Sequence, residues 1–554
     1  MDRRSALVLL AVFSAGVFLA GLELMITAVA LPSILADLVD DRGTTAWLEL
    51  RKASWIVNGY LLVYILAMPL AGRLADLWGA RRLFLGALAV FTIGSALAGA
   101  AQDLDQLIAA RTVQAAGGGV LVPVGTAAAA HLYGGHARAR ALGVIGALTF
   151  LGMAAGPFLG AAILATFQPD GAIIRQGLTG GPWPDLLAPA WRWIFYVNIP
   201  VAIVAGTLDW AASDGWETPH RRGRVDALGA ATFGVALAAG LLLLTLLGTE
   251  DVAGSGVDPA LVTAVLAALS IVATLLAVVR ALRSPDPFLD VRLFRSVPFS
   301  AAALVSLLTG YAFATAIIGG AVFVDRVLYG GPDEQRLALG ALAGATAIGA
   351  LLAGLLVRVA SYRLVTIVGI VLSVVGLALM AGWTSATTID AAAASLATFG
   401  LGFGLCVTPR SAAAVEAAGR RAFGAASSVV TVARMIGMAV GLAVLTAYGS
   451  TTIDDLSSRI DPNGDSYRQL IPEALRDRPF RDPLVVEALE AWASREAAAI
   501  MVGLFLVAGG VTLAATPAAL ALGGGGRGRA TAGDEGVGER ILSDDDRPDV
   551  APAL

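Results

Sequence analysis

The 554-residue chain has one cysteine, Cys406, and three histidines, His131, His136 and His220. A single thiol excludes a disulfide framework and a cysteine-rich metal site, and the scattered histidines form no cluster. Charged residues are also scarce, at 14% of the chain, whereas a soluble globular protein carries roughly 25%. The basic residues form no block, so the sequence predicts no nucleic-acid partner.

Apolar side chains are abundant, with 57% hydrophobic residues and a mean hydropathy of +0.77. A water-soluble core cannot absorb this much apolar surface but a lipid bilayer can, so the composition predicts an integral membrane protein. Fourteen segments have the roughly 20 apolar residues that a membrane-spanning helix needs, and the twelfth of them, Asp390–Pro409, is predicted to stop at its proline. The first, Ser5–Pro32, also resembles a signal peptide, but Glu23 interrupts its apolar run, which is about twice as long as a signal core. We therefore predict an all-α integral membrane protein with 14 transmembrane helices.

The distribution of charge between the loops predicts the orientation. Arginines are concentrated on one side of the membrane and include Arg81, Arg82, Arg221, Arg222 and Arg224. The loops on the other side are richer in acidic residues. By the positive-inside rule, both termini lie in the cytoplasm and the protein spans the plasma membrane.

Two segments have the composition of chain outside the membrane. Residues 450–496 form an outward insertion, and apolar residues at helical spacing after Pro483 (Leu484, Val485, Leu489 and Trp492) predict that its second half extends the last span as a helix. That helix is a candidate dock for an extracytoplasmic acceptor protein or a shield for a lipid; a tolerated loop insertion is the alternative. The glycine-rich, acidic tail 523–554 is predicted to be a disordered cytoplasmic segment.

The short connection between spans two and three carries the most specific motif. It runs from Gly72 to Arg82 and includes Asp76, Gly79 and Arg81. The glycines permit a sharp reversal, and the aspartate and arginines are expected to form a charge relay that gates the inner face. The loop resembles the signature loop of the major facilitator superfamily.

Other motifs agree with this resemblance in order and position. Arg111 and Gln114 in span four resemble that family's R-x-x-Q-G-x-G motif, with Ala115 in place of a glycine. Span five resembles its antiporter motif at Gly152, Gly156, Pro157 and Gly160, with Ala161 in place of the last glycine. Glycines four residues apart let helices approach closely in lipid, so a plain packing face is the alternative for the span-five motif.

The segments Leu22–Pro32 and Trp191–Pro200 are similar to the fourteen-span drug:proton antiporter branch, with Glu23 in place of the usual aspartate. Within that branch, the chain most resembles actinobacterial multidrug and lipid exporters. The resemblance implies two six-helix bundles, residues 1–212 and 298–522, joined by two extra spans in residues 213–297. A central cavity between the bundles would open alternately to the two sides.

Charged groups at membrane depth are costly and therefore mark candidate functional positions. Glu23 and Arg434 are predicted to couple transport to protons, with Arg434 as a counter-charge for Glu23. The alternative for Glu23 is a structural ion pair, and the alternative for Arg434 is a fixed contact between helices. Arg111 is predicted only to anchor helix ends. Span five supplies no acid near Thr149.

The remaining polar positions are candidates for the wall of the cavity. Asn58, Tyr60, Tyr64 and Gln114 either line it or make helix contacts.

No motif predicts an enzyme or an ATP-driven pump, since the glycines at 117–119 lack the lysine that a phosphate-binding loop requires. The sequence predicts a transporter without a cofactor that uses the proton gradient to export hydrophobic or amphipathic, drug- or lipid-like compounds. A lipid or glycolipid exporter with an extracytoplasmic partner, a nutrient importer and a non-transporting membrane receptor remain alternatives.

Overall fold

The computed structural model describes most of the chain. The described residues are 3–38, 55–166, 187, 189–212, 216–218, 226–246, 259–285, 287, 289, 291–419, 422–459, 466–479 and 482–523. Within these ranges the regular structure is helical, and no β-strand is present. The predicted tail lies outside the described residues from position 524 onward.

Fourteen helices are long and apolar enough to cross a membrane, which confirms the predicted fold class. They are α1 (Arg3–Leu38), α2 (Trp55–Trp78), α3 (Ala80–Ala100), α4 (Leu104–Leu132), α5 (Gly135–Thr166), α6 (Asn198–Ala212), α7 (Ala227–Leu246), α8 (Pro259–Arg283), α9 (Val297–Arg326), α10 (Pro332–Leu356), α11 (Tyr362–Met380), α12 (Ile389–Ala418), α13 (Phe423–Arg459) and α14 (Pro483–Leu513). A short helix, Arg192–Tyr196, precedes α6 and forms the sixth span together with it, over Arg192–Ala212. Another short helix, Thr516–Ala521, follows α14.

Side-chain caps and glycines fix several helix ends. Asp103 accepts a hydrogen bond from the Gln106 backbone at the start of α4, and Thr388 caps α12 in the same way. Such caps satisfy N–H groups that lack a partner within the helix. Gly419 ends α12 with φ of 76°, a conformation that glycine adopts without steric cost.

The helix contacts repeat between the two halves of the chain. Helix α1 packs against α4, α5 and α6, and α9 packs in the same pattern against α12, α13 and α14. Between the halves, α2 packs against α13 and α5 against α10. In the two halves, α2 corresponds to α10 and α5 corresponds to α13. Pseudo-two-fold symmetry therefore turns the α2–α13 contact into the α10–α5 contact.

Helices α7 and α8 pack mainly against each other, and α7 also contacts α2 and α13. Large apolar side chains on α8 are exposed and include Leu261, Leu269, Ile271, Leu275 and Leu276. A surface of this kind is stable only in lipid, so the two helices lie on the outside of the bundles.

Several helices extend beyond their predicted ends. Helix α2 continues through the predicted connection from Gly72 to Trp78, and only Gly79 separates it from α3. Span twelve was predicted to stop at Pro409, but α12 continues through this proline to Ala418. Proline is tolerated inside a membrane helix because neighbouring helices satisfy the freed backbone groups. The extension places Arg410 within the bundle, which the sequence analysis did not anticipate.

The insertion 450–496 also contains more helix than expected, because α13 continues to Arg459. Helix α14 begins at Pro483, as predicted, and its buried side consists of Val485, Leu489 and Trp492. The expectation that Leu484 shares that side is wrong, since Leu484 is 45% exposed.

The apolar side of this extension is covered by the same chain. Ile471 packs with Val485 and Leu489 in one small buried cluster. The Tyr329 hydroxyl lies 2.9 Å from Ser494 Oγ, which links the extension to the end of α9.

We call the end of the bundles at which Gly72–Arg82 lies the loop end. The opposite end is the one at which α14 begins.

Candidate functional site: a buried charge network and the contacts between the bundles

Glu23 on α1 is completely buried and fully hydrogen-bonded. Its Oε1 forms an ion pair with Arg111 Nη1 of α4 and accepts a hydrogen bond from Thr27 Oγ1 at 3.0 Å. Its Oε2 accepts from Asn198 Nδ2 of α6 at 2.8 Å. A buried carboxylate is stable only with such compensation. The expected counter-charge, Arg434, is therefore corrected to Arg111.

Arg111 is held from several sides. Its Nη1 donates to Gln114 Oε1 at 2.6 Å, and its guanidinium carbon lies 3.9 Å from the centre of the Tyr60 ring, which is the geometry of a cation–π contact. Tyr64 stacks beneath Tyr60, with 5.7 Å between ring centres. Tyr60 and Tyr64 are thus buried parts of the charge network and its support. Asn58 lies on α2, and its side chain is outside the described part of the structure.

Ser95 on α3 closes the network. Its Oγ accepts hydrogen bonds from Gln114 Nε2 and Asn198 Nδ2, both at 2.9 Å, and donates to the Phe195 carbonyl at 3.0 Å. The network therefore joins α1, α3, α4 and α6 through one carboxylate. A change in the charge of Glu23 alters contacts of all these helices at once.

The glycines of the span-five motif bring α5 against α1 beside Glu23. A Cβ added to Gly156 would lie 2.9 Å from the Leu22 carbonyl oxygen and 2.9 Å from the Ile26 nitrogen. A Cβ on Gly152 would meet the backbone of Phe18 and Leu22. Because these obstacles are backbone atoms, only glycine permits this approach.

The other two residues of the motif also lie on α5. Gly160 is buried, and the side chain of Pro157 is outside the described part.

Arg434 and Arg410 form a second charged group, between the bundles. They line one cavity of about 40 Å³ with residues of α4, α5, α12 and α13. The guanidinium carbon of Arg434 lies 5.3 Å from the centre of the Phe150 ring, and that of Arg410 lies 5.4 Å from the Phe403 ring. Arg410 also donates to Thr309 Oγ1 at 2.7 Å.

Asp76 joins the bundles at the loop end. Its carboxylate accepts hydrogen bonds from the backbone N–H groups of Gly424, at 2.9 Å, and Ala425, at 3.0 Å. These groups belong to the first turn of α13, where a negative charge is favoured by the helix dipole. A Cβ on Gly72 would lie 2.6 Å from the Gly424 carbonyl oxygen, so the two helices are in close contact here.

The arginines of the signature loop pair within the first half of the chain. Arg81 Nε lies 2.8 Å from Asp209 Oδ2, and Arg82 Nε lies 3.0 Å from Glu217 Oε1. Asp209 is fully buried within the protein. Gly79 has φ of 92°, a conformation that other residues rarely adopt.

Several residues of these sites were not predicted from the sequence. Thr27, Ser95 and Asn198 surround Glu23 or Arg111, and Arg410 shares the cavity of Arg434. Asn198 lies in the recognised segment Trp191–Pro200, so its position was available as a signal. Ser95 had no signal, since a serine within an apolar helix commonly bonds to its own backbone.

The fold and the buried charges describe a polytopic transporter built of two symmetric bundles. The sequence profile of the Major Facilitator Superfamily matches residues 13–442. The chain therefore belongs to this superfamily, whose members are transporters and not enzymes.

Two relatives are named for a lipid substrate. The triacylglyceride transporter of Mycolicibacterium hassiacum is 33% identical over 434 residues, which cover 75% of this chain and 75% of that protein. The probable triacylglyceride transporter of Mycobacterium leprae is 31% identical over 452 residues, which cover 78% of this chain and 83% of that protein.

Solved structures share the fold at low identity. The human organic anion transporter MFSD10 has a TM-score of 0.57 at 14% identity, with 92% of this chain and 100% of that chain covered. A proton:xylose symporter bound to 6-bromo-6-deoxy-D-glucose has a TM-score of 0.54 at 12% identity, with 92% and 95% covered.

Proposed function

We propose that this protein is a proton-coupled exporter of lipid-like molecules in the plasma membrane, working by alternating access. The loop end and both termini face the cytoplasm in this proposal, because the arginine-rich loops lie at that end. A proton entering the cell provides the energy, about 2.3 kcal/mol for each charge moved across 100 mV.

The observation that carries the proposal is the environment of Glu23. It is a fully buried acid, and its carboxylate connects α1 with Arg111 of α4 and Asn198 of α6. Protonation removes the charge that holds Arg111 and converts one acceptor oxygen into a donor. The Asn198 amide that contacts Glu23 through Nδ2 has a second buried atom, Oδ1, without a hydrogen-bond partner among the described residues, so a rotation of the amide would present an acceptor to that new donor.

Loss of the ion pair is coupled to the bundle contacts through α1 and α5. The glycine face of α5 packs on α1 at Leu22 and Ile26, next to Glu23, and α5 packs on α10 of the other bundle. A shift of α1 must therefore displace α5, since packed helices move as units. The Asp76 contact with α13 would break when the loop end opens.

A lipid-like substrate is favoured by the apolar space and by the names of the relatives. A cavity of about 440 Å³ lies between α7, α8 and α13 and is lined almost wholly by apolar side chains, among them Phe233, Leu237 and Ile436. Such a groove accommodates an acyl chain without burying a polar group. The compared mycobacterial proteins are named as triacylglyceride transporters.

The test is proton-dependent flux in proteoliposomes. The purified protein is reconstituted with a fluorescent triacylglyceride analogue and a pH gradient, and transfer of the analogue and proton movement are recorded together. We expect both in the wild type and neither in Glu23→Gln, because the amide cannot titrate. Glu490→Gln is the matched control, since Glu490 is exposed on α14.

The outcomes separate the alternatives. Gradient-independent transfer by the wild type, or wild-type coupling in Glu23→Gln, contradicts the proposed role of Glu23. Transfer of a small cationic dye in place of the lipid analogue would assign the protein to multidrug efflux. Absence of any flux would favour a non-transporting receptor.

A further inference from the structure

Arg410 and Arg434 are buried, at 2% and 6% exposure, and line the same small cavity between the bundles. Arg434 lies 11 residues into α13 and Arg410 lies 8 residues before the end of α12. At 1.5 Å per residue, these positions are about 16 Å and about 12 Å from the loop end of their helices. Both guanidinium groups therefore lie well within the membrane-spanning length.

The charge at this depth is not balanced by the protein. Glu23 lies 20 residues into α1, about 30 Å from the loop end, and its partner is Arg111. Helix α5 contains no acidic residue, and the acids of α4, α12 and α13 lie near helix ends. Within the described part of the chain, neither Arg410 nor Arg434 forms an ion pair with a carboxylate.

The hydrogen-bonding capacity of the two side chains is also only partly used. Arg410 donates through Nη1 to Thr309, but its Nε, like the Nε of Arg434, is buried without a partner among the described residues. An uncompensated cation in a low-dielectric interior is strongly unfavourable, and removing one partner from a buried pair costs several kcal/mol for this reason. An anion bound between two such cations in one cavity would stabilise both of them.

The walls of the cavity suit a small oxyanion. Five hydroxyl groups also line the cavity, from Thr126, Thr149, Ser411, Ser427 and Thr431. Each of them donates to a backbone carbonyl, so the guanidinium groups are the donors that remain for an anion. Arginine guanidinium groups bind carboxylates and phosphates through paired N–H donors. The cavity volume of about 40 Å³ exceeds the roughly 10–15 Å³ that a single water molecule requires, so a small polar group has room between the arginines.

An apolar region adjoins the arginines. Phe150 and Phe403 lie against the two guanidinium groups, and Phe313 stacks on Phe403 with 4.5 Å between ring centres. Phe313 also lines a second interbundle cavity, together with Met25 and Phe158. Because this second cavity holds only about 20 Å³, a bound apolar chain can follow Phe313 only when the bundles separate there, as alternating access requires.

We propose that the cavity between Arg410 and Arg434 binds the carboxylate or phosphate head group of an anionic amphiphile whose chain packs along Phe313. This inference rests on the proposed lipid-like substrate class and adds an anionic amphiphile to the neutral triacylglyceride of the flux test. The shared chemistry is an oxyanion, and its source is either the head group of the amphiphile or a free anion.

Binding is tested on the purified full-length protein in a non-ionic detergent. The probes are dodecyl phosphate, laurate, the neutral dodecanol and inorganic phosphate alone, followed by calorimetry and by the thermal shift of the protein. We expect dodecyl phosphate and laurate to bind at least tenfold more tightly than dodecanol or inorganic phosphate. This comparison uses only the wild type, so it does not depend on the folding of a variant.

Variants then locate the site. Arg434→Gln and Arg410→Gln should each weaken binding of dodecyl phosphate by about tenfold to hundredfold, the range for a lost charge-assisted hydrogen bond. Arg434→Lys should retain more affinity because it keeps the charge. Arg363→Gln is the control, since Arg363 is exposed on α11, and it should bind like the wild type.

Three results would overturn the inference. Equal binding of dodecanol and dodecyl phosphate removes the charge requirement, and unchanged affinity in both glutamine variants removes the site. Equal binding of inorganic phosphate and dodecyl phosphate assigns the cavity to a free anion and not to a head group. Because binding requires no gradient, these results are independent of whether Glu23 couples transport to protons.

Discussion

The Asp76 carboxylate accepts a hydrogen bond from the Gly424 backbone N–H at 2.9 Å, although the two residues are 348 positions apart. One belongs to α2 of the first bundle and the other to α13 of the second. A second N–H, from Ala425, donates to the same carboxylate at 3.0 Å. The signature loop thus closes the loop end by capping a helix of the opposite bundle, and not only by a relay of charges within the loop.

Asp76→Asn should favour opening of the loop end. The amide lacks the negative charge that the N-terminus of α13 stabilises. That interaction contributes about 1–2 kcal/mol, so its loss changes the open fraction by about five- to thirtyfold. Opening is measured as the labelling rate of Thr431→Cys in a Cys406→Ser background, because Thr431 lines the interbundle cavity.

The matched control for this variant is Asp333→Asn, an exposed acid at the start of α10. An equal labelling rate in Asp76→Asn and the wild type would mean that the contact does not hold the gate.

Arg111→Gln should destabilise the folded protein far more than Arg363→Gln. It leaves the Glu23 carboxylate buried without its counter-charge, a change that costs about 3–5 kcal/mol. Adding Glu23→Gln should recover much of that loss, because the uncompensated charge is then gone. Thermal unfolding in detergent of the two single variants and the double variant measures the coupling between these side chains.

Additive losses in that cycle would contradict the ion pair as a stabilising unit. Arg434→Gln combined with Glu23→Gln should show no coupling, since Arg111 is the partner of Glu23. Strong coupling there would restore Arg434 as the counter-charge.

The orientation is tested with single cysteines in the Cys406→Ser background. Gln469→Cys lies in the insertion and Arg358→Cys in the connection between α10 and α11, both at exposed positions. An impermeant maleimide added to intact cells should label Gln469→Cys and leave Arg358→Cys unlabelled until the membrane is permeabilised. The reverse pattern would invert the topology.

Replacing residues 455–481 with a short Gly-Ser linker should distinguish lipid export from drug efflux. The replaced segment covers Val485 and Leu489 through Ile471, so its loss exposes the apolar side of α14 at the opposite end. We expect export of a lipid analogue to fall while efflux of a soluble dye persists, measured in the same cells. If both activities survive, the insertion is a tolerated loop; if both fail, the point variant Ile471→Ser repeats the test with less disturbance.

Composition and periodicity were sufficient for the number of spans, because roughly 20 consecutive apolar residues have few stable alternatives to a membrane helix. The same reasoning anticipated the helix that begins at Pro483. Proline was misleading at Pro409, where neighbouring helices let α12 continue. The sequence marks where a backbone hydrogen bond is lost, but only the packed bundle determines whether that loss ends the helix.

The identities of Glu23, Arg111 and Arg434 as charges within apolar segments were readable from the sequence alone. Their pairing was not readable from the sequence, because the neighbours of a helical residue are decided only when the helices pack. Tertiary structure placed Arg111 beside Glu23 and brought Arg410 to Arg434, although 24 positions separate those two arginines. The sequence alone determined a membrane protein with few buried charges, and the packing of the bundles decided which charges neutralise each other and which two remain for an anion.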